Sequence, residues 1–338
     1  VGGMIFDPGV LADSLSETAG YKAGLALSIS ELCSHLGDQQ DTELILASEE
    51  RPVRIRSEDY EALFYRLLHR IGHTDELYDG DFAGVGLYHK YKDQHRAEYE
   101  GVLKLFVEHM PRAMDDAKRS ASKAIDPTPF MRACHAAYGR IGLDIAVEKL
   151  RAIDRGMRLS PHVGLRYVEW HDQRALVELF QGSSEAPEQG RFIDQRFIDY
   201  LSNNQDRLPE VHWRKFEELT AEFFDREGFR VELGPGINDD GVDVRVWGAD
   251  QEEGASPQLI VQCKRQKAKV EKVVVKGLYA DVQHESAEFG LIVTTSELSP
   301  GARTTIAARG YPIHEVSRSG LTTWLGRLRT PGTGIVRI

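Results

Sequence analysis

The chain of 338 residues is short of cysteine, with Cys33, Cys134 and Cys263 as its whole complement. The three are far apart, odd in number, and no CxxC pair occurs. Neither a disulfide framework nor a cysteine zinc site is indicated, and buried free thiols in a reducing cytosol are expected. No apolar run approaches the roughly 20 residues that span a bilayer, so no membrane partner is expected. Nor does a basic stretch lead into an apolar core near the N-terminus. This gives no sign of a signal peptide and an expected cytoplasmic location. Val1-Gly2-Gly3 ahead of Met4 is set aside from the fold reading. Internal repeats and low-complexity tracts are also lacking.

Positive charge is scarce overall, with a formal net charge of −11. That argues against a protein that coats nucleic acid without regard to sequence. The imbalance is uneven. Up to Leu208 there are 25 basic against 34 acidic side chains, and from Pro209 onward 17 against 19. The later stretch also holds the densest basic run, Lys264-Arg265-Gln266-Lys267-Ala268-Lys269. An enzyme that approaches phosphates needs positive charge locally, whatever its total.

What is present is an ordinary globular composition, 41% hydrophobic and 28% charged, long enough for two domains. Residues 4–182 read as a mainly α-helical domain. Apolar residues recur at helical spacing from Tyr21 to Leu36, from Ser57 to His69 and from Gln94 to Met110. Pro111 is expected to end or kink the third of these. Asp126-Pro127-Thr128-Pro129 is a break. Further helices are expected over Pro129–Tyr138, Leu143–Ile153 and Glu169–Phe180, and a short strand over Glu43–Ala47. Gly182-Ser183-Ser184-Glu185-Ala186-Pro187-Glu188-Gln189-Gly190 is small, polar and rich in breakers. Residues 183–208 therefore read as a linker with a connecting helix from Phe192 to Leu201.

After Pro209 the period changes. An amphipathic helix over 210–227 carries Phe216, Leu219, Phe223 and Phe224, and Gly228 ends it. Strands follow at Phe229–Leu233, Val242–Trp247 and Leu259–Lys264. A helix over Val270–Gln283, a strand Phe289–Thr294, a helix Pro300–Arg309, a strand Tyr311–Val316 and a helix Leu321–Leu328 complete residues 209–329. The order αβββαβαβα is that of a three-layer α/β domain around a mixed central sheet.

Three elements of this part carry chemistry: Glu217-Glu218 on the first helix, Asp243 after the Asp239-Asp240-Gly241-Val242 turn, and Gln262-Cys263-Lys264 at the end of the third strand. Side chains alternate along a strand. Val242, Val244 and Val246 are expected inward, and Asp243 on the other face. Pairing of the two strands would bring Asp243 to Gln262 and Lys264. A carboxylate, a carbonyl-bearing side chain and an ammonium group suit phosphodiester hydrolysis. The oxygens hold Mg2+, and the lysine stabilises growing negative charge. Each residue alone has a plainer reading: Asp243 as a turn residue, Lys264 as a solvated strand end, the glutamates as a solvated helix face. Their order and placement together point to a nuclease. Asn238 and Asp240 read as turn formers.

The combination Phe216-Glu217, Gly241-Val242-Asp243 and Gln262-Cys263-Lys264 resembles the Mrr-type branch of the PD-(D/E)xK restriction endonuclease superfamily. Gly290-Leu291-Ile292-Val293-Thr294-Thr295-Ser296 and the later Ala302, Ala307 and Ala308 extend the resemblance, which covers about 120 residues, from Pro209 to Arg329. It implies a restriction-endonuclease-like fold and a DNA endonuclease dependent on Mg2+ or Mn2+. Asp243, Glu217 and the Cys263 main-chain carbonyl would hold the metal, Gln262 would position, and Lys264 would be catalytic. Gln262 stands where much of the superfamily has Glu or Asp. This leaves one fewer charge on the metal and gives the helix glutamate more weight. Arg265, Lys267 and Lys269 are candidate phosphate contacts. The resemblance further implies DNA as partner, restriction or anti-phage defence as setting, and a homo-oligomer, since cutting both strands takes two active sites.

Residues 4–200 carry no such resemblance. His69 and His73 are four apart but lack a third ligand and read as structural. Asp79-Gly80-Asp81 with Gly84 and Gly86 lacks the Lys-Ser/Thr ending of a phosphate loop. Tyr88, Tyr91 and Tyr99 read as packing rather than base stacking. Two other readings of the whole stay open: an effector whose helical part binds a regulatory protein or small-molecule signal and silences the nuclease, and a DNA-binding scaffold with a degenerate nuclease fold.

Overall fold

A computed structural model of the protein describes residues 3–78, 85–120, 124–166, 170–236, 241–252 and 254–329. In chain order the elements are β1 (Gly3–Phe6), α1 (Val10–Ala23), β2 (Leu25–Ala26), α2 (Ile29–Leu36), α3 (Gln39–Glu50), β3 (Val53–Arg56), α4 (Ser57–Arg70), α5 (Val85–Tyr91), α6 (Arg96–Arg119), α7 (Thr128–Leu159), β4 (Arg174–Ala175), α8 (Glu178–Gln181) and α9 (Gln195–Asn203). A 3-10 turn over Gln205–Glu210 leads into α10 (Trp213–Arg226), β5 (Arg230–Leu233), β6 (Val244–Trp247), β7 (Leu259–Lys264), α11 (Lys272–His284), β8 (Phe289–Thr294), α12 (Pro300–Arg309), β9 (Ile313–Val316) and α13 (Arg318–Leu328).

The last five strands form one mixed sheet, ordered β5-β6-β7-β8-β9. The first three are antiparallel, and β7, β8 and β9 run parallel. Alternation sorts the faces. Ile260, Ile292 and Ile313 pack with Val275, Leu278 and Val282 of α11 and Ala302 of α12. The opposite face meets α10 and α13, where Trp324 stacks on Phe223 with ring centroids 4.0 Å apart. Apolar burial on both faces is the main stabilising term.

The N-terminal elements depart from expectation in several places. Glu43–Ala47 lies inside α3, whose start is capped by Asp38, accepting from Gln40 N and Asp41 N. A cap of this kind holds the first turn against a local preference for strand. The expected helix Tyr21–Leu36 is two helices. Here α1 ends at Gly24, and α2 begins in a capping box in which Ser28 and Glu31 bond each other's backbone. Pro111 does not end α6. In α7, Gly139 interrupts the helical backbone with φ 60° and ψ −146°. Of Glu169–Phe180, the described part holds only β4 and the start of α8.

The chain divides into two compact units. The described residues 3–57, 66–76 and 170–329 form one, and 58–65, 77–78, 85–120, 124–166 the other. These limits differ from boundaries at 182 and 209, for identifiable reasons. β2 pairs with β4, and the stretch expected as a linker is bonded on both sides. Arg196 donates to Gly24 O at 3.2 Å and Asp172 O at 2.6 Å, and its guanidinium is forked on Asp194 at 2.7 and 2.8 Å. Glu222 of α10 accepts from Arg191 N at 2.9 Å and Phe192 N at 2.7 Å. Gln195 reaches Leu328 O at 3.0 Å. The sheet thus shares its unit with the first strands and helices of the chain. In the second unit α6 and α7 pack around Val102, Phe130, Cys134 and Ile145. Tyr91 and Tyr99 are buried there with stacked rings, a packing role. His73, in the first unit, is buried, and burial followed by the charges of Lys22 and Arg329 lowers its pKa to about 4. That fits a structural role. Asp79, Gly80, Asp81, Gly84, Asn238, Asp239 and Asp240 lie outside the described residues.

Candidate active site

Helix α10 is amphipathic, and its buried side lies against β5, β6 and β7. Phe216 and Leu219 anchor it, and this sets Glu217 into the sheet. Glu217 is 6% exposed and Asp243 8% exposed. The two carboxyl groups are close enough to share a hydrogen bond. Burial, and then the charge of Asp243, push the Glu217 pKa up to about 8, while Arg214 pulls the other way. Glu218 faces elsewhere and pairs with Lys215 at 2.8 Å. Of the two helix glutamates, only Glu217 joins Asp243.

Asp243 lies one residue ahead of β6. Its amide donates to Val261 O at 2.9 Å, and its Oδ2 accepts from Cys263 N at 2.6 Å. The strand pairing Val244↔Val261 continues to place Asp243 opposite Gln262. The expected parity fails at this point. Val242 belongs to the core on Ile260's side of the sheet, while Asp243 turns toward α10. The chain enters from Gly241 at φ 90°, a left-handed conformation that suits glycine. A Cβ at Gly241 would also lie 2.9 Å from Gln262 Nε2. Asp243 therefore meets Glu217 and the Cys263 amide, and is not simply on one surface with Gln262 and Lys264.

Gln262 Oε1 is buried and has no hydrogen-bond partner among the described residues. Burying such an acceptor is costly unless something satisfies it. The Cys263 thiol contacts Thr220 Oγ1 at 3.5 Å. Burial and the Asp243 charge hold it well above the usual thiol range. It stays neutral and outside thiolate chemistry. The Lys264 carbonyl is fixed by Thr294 Oγ1 at 2.8 Å, and its side chain is half-buried with no hydrogen bond or ion pair among the described residues. Of the candidate phosphate contacts, Lys269 pairs with Glu297 at 2.7 Å and Arg265 donates to Pro209 O at 3.2 Å, whereas Lys267 is exposed.

Like charges pressed together out of water call for a proton or a cation between them. Two buried carboxylates form an oxygen donor pair, which suits a hard divalent cation, and the orphaned Gln262 amide oxygen stands on the paired strand opposite Asp243. No group of three or more His, Cys, Asp or Glu side chains is placed to hold a metal ion among the described residues. The fit to a metal therefore rests on two carboxylates supplemented by amide and main-chain oxygen. Sequence reasoning missed Arg214, whose guanidinium reaches Glu217 Oε2 at 3.1 Å. Its i,i+3 spacing from Glu217 was the available signal.

Three comparisons bear on this arrangement. The chain is similar to the uncharacterized protein y4cE of Sinorhizobium fredii (strain NBRC 101917 / NGR234), 30% identical over 95 residues. The match covers 28% of this chain and 24% of that protein, so the chain spans about a quarter of the length of the curated relative it matches. A solved complex of the MspJI restriction endonuclease with a 27-mer oligonucleotide matches 54% of this chain and 42% of that one, at 19% identity and a TM-score of 0.29. The family model Mrr_cat, described as restriction endonuclease, matches residues 208–325, the stretch that holds Glu217, Asp243, Gln262 and Lys264. The C-terminal third of the chain, residues 208–325, carries a restriction endonuclease domain of the Mrr type.

Proposed function

We propose that this protein is a metal-dependent DNA endonuclease, with its active site at Glu217, Asp243, Gln262, Cys263 and Lys264. The observation that carries the reading is the buried pair Glu217 and Asp243 beside the unsatisfied Gln262 Oε1. Asp243, Glu217, Gln262 Oε1 and the Cys263 carbonyl would hold Mg2+ or Mn2+. When bound, such an ion neutralises phosphate charge and makes water a stronger nucleophile at neutral pH. Lys264 Nζ donates a hydrogen bond to the phosphate oxygen on which charge builds. Asp243 is held in place for its task by the Cys263 amide. Water adds at phosphorus as the ester P–O bond breaks, leaving a phosphate monoester and a hydroxyl end. A role in restriction or anti-phage defence, and action as a homo-oligomer, follow from the same reading. The succession α10 to α13 around a mixed sheet supports a restriction-endonuclease-like fold for this part.

Cleavage of plasmid and phage DNA with Mg2+ or Mn2+, by wild type, Asp243→Ala and Lys264→Ala, tests it. Cutting by the wild type that both substitutions abolish is the expected result. Cutting that survives both would put the site elsewhere. A wild type that binds neither Mg2+ nor Mn2+ would favour a DNA-binding or scaffolding protein with a degenerate nuclease fold.

A second reading is an effector held silent until a signal or partner reaches the second unit. Residues 58–65 and 77–168 hold 15 acidic and 15 basic side chains, so that unit has no positive excess for DNA reading. That unit also contains a cavity of about 530 Å3 lined by His109, Arg112, Asp116, Ser120, Asp126 and Phe130. A wild type that binds Mn2+ at the Asp243 site yet cuts nothing alone would support it.

A further inference from the structure

Arg214 opens the second turn of contacts around the site, from one turn before Glu217 on α10. Its Nη1 donates to Glu217 Oε2 at 3.1 Å and to Gly234 O at 2.7 Å. Gly234 N in turn donates to Asp243 O at 2.8 Å. The helix that carries one carboxylate is thereby tied to the segment that carries the other. Two glycines make room for this link. A Cβ at Gly234 would lie 2.8 Å from Val242 O, and one at Gly236 would lie 3.0 Å from both Arg214 Nη1 and the Trp213 ring. Gly236 also sits at φ 78°, where other residues are strained. The Arg214 side chain is 27% exposed, against 8% for that of Glu217, so it lies at the rim of the site.

We propose that Arg214 is the positioning residue of this site, fixing the Glu217 carboxylate against Asp243 by clamping α10 to the Gly234–Gly236 turn. The proposal rests on the metal-site reading above. A guanidinium suits the task because it is planar and can serve two acceptors at once from a fixed plane. Both bonds leave one nitrogen, Nη1, whose directions the planar group fixes; an ammonium group offers three donors there but leaves their directions free. Partners that orient metal ligands are worth roughly 10- to 100-fold in metal affinity.

The test uses the full chain as wild type, Arg214→Gln and Arg214→Lys. Each is titrated with Mn2+ without DNA, and metal-free crystal structures of the wild type and Arg214→Gln are compared. Arg214→Gln is expected to bind Mn2+ roughly 10- to 100-fold more weakly, with Glu217 displaced from Asp243. Arg214→Lys should recover part of the loss, and it carries the test if Arg214→Gln fails to fold. Unchanged Mn2+ affinity with Glu217 in place would overturn the proposal. So would a loss confined to the KM for DNA, which would make Arg214 a phosphate contact. If the wild type takes up no Mn2+, the metal reading falls by itself. The crystal comparison still decides Arg214, since a Glu217 that stays in place without its guanidinium is not positioned by it.

Discussion

Two clusters of buried charge lie in the same compact unit, and they are built in opposite ways. Around Asp194 and Arg196, which are 3% and 4% exposed, every charge has its counterpart. Arg196 forks onto Asp194, reaches Glu188 at 3.1 Å and spends its remaining donors on two carbonyls. Burial works against the ionised Asp194, yet the Arg196 guanidinium holds its carboxyl below the usual carboxylate range. Around Glu217 and Asp243 two like charges have one guanidinium between them, that of Arg214 on Glu217, and an amide oxygen is left over. Compensated burial holds segments together. Uncompensated burial costs stability and persists where a ligand or a reaction uses it. The contrast separates a structural knot from a site without reference to any relative.

The contrast breaks most visibly under substitution. Asp243→Ala should reduce DNA cleavage to background, and Lys264→Ala should reduce kcat by on the order of 10²- to 10³-fold, the range for losing one donor to developing charge. Single-turnover kinetics on a supercoiled plasmid would read both. Their stability should change little. Arg196→Met should do the reverse. It leaves the buried Asp194 with only the longer Arg174 Nε contact at 3.8 Å as a charge partner, at a cost of up to about 3–5 kcal/mol in urea unfolding, while the Mn2+ affinity of the folded fraction stays at the wild-type value. A metal affinity that falls with Arg196→Met would show that the two clusters are not independent.

Their pH dependences should also oppose. Glu217 has its folded pKa raised, to about 8 without metal. Its contribution to stability is full below the unfolded value near 4.5 and is lost as pH rises through about 8. Asp194 has its folded pKa lowered, so its contribution is present above the unfolded value and is lost as pH falls. Glu217→Gln should therefore stabilise the metal-free protein at pH 9 more than at pH 5. Asp194→Asn should destabilise it at neutral pH. Mn2+ should abolish the alkaline loss in the wild type alone. Thermal melts across pH 5–9, with and without Mn2+, decide this. Equal effects of Glu217→Gln at both ends would mean that neither burial nor Asp243 raises the Glu217 pKa.

How much of this was legible follows physical lines. β7 and β8 were readable to the residue because Leu259–Lys264 and Phe289–Thr294 are short, largely apolar runs bounded by polar turns. The capping residues Asp38 and Ser28 with Glu31 were also in plain view and would have corrected the Glu43–Ala47 strand and the Tyr21–Leu36 helix. Other features were out of reach. The packing of residues 183–208 depends on Glu222, about 30 positions later, cupping the amides of Arg191 and Phe192. A polar, breaker-rich composition resembles a linker until those partners are known. The turn of Asp243 toward α10 depends on the backbone at Gly241, which periodicity does not encode. At the site, the Phe216-Glu217 resemblance singles out Glu217 over Glu218, and the structure adds a physical reason: Glu217 meets Asp243 while Glu218 pairs with Lys215.

The smallest expected effect concerns the basic run beside the site, where the same distinction between matched and unmatched charge applies at the surface. Lys269 is matched by Glu297 and Arg265 by a carbonyl, while Lys267 has no hydrogen bond or ion pair among the described residues. A lysine that already holds a carboxylate releases fewer counterions from DNA than one that does not. Exposed pairs are weak, so the difference is one of degree. Lys267→Ala should weaken DNA binding and reduce the slope of log Kd against log salt by about 1. Lys269→Ala should change the slope by less, and Glu297→Gln should raise affinity by releasing Lys269. Fluorescence anisotropy on the Asp243→Ala background, at several salt concentrations, keeps the DNA intact while these are measured. Equal slopes for Lys267→Ala and Lys269→Ala would show that DNA breaks the Glu297 pair on binding, and that surface matching, unlike the buried kind, does not mark a residue as structural.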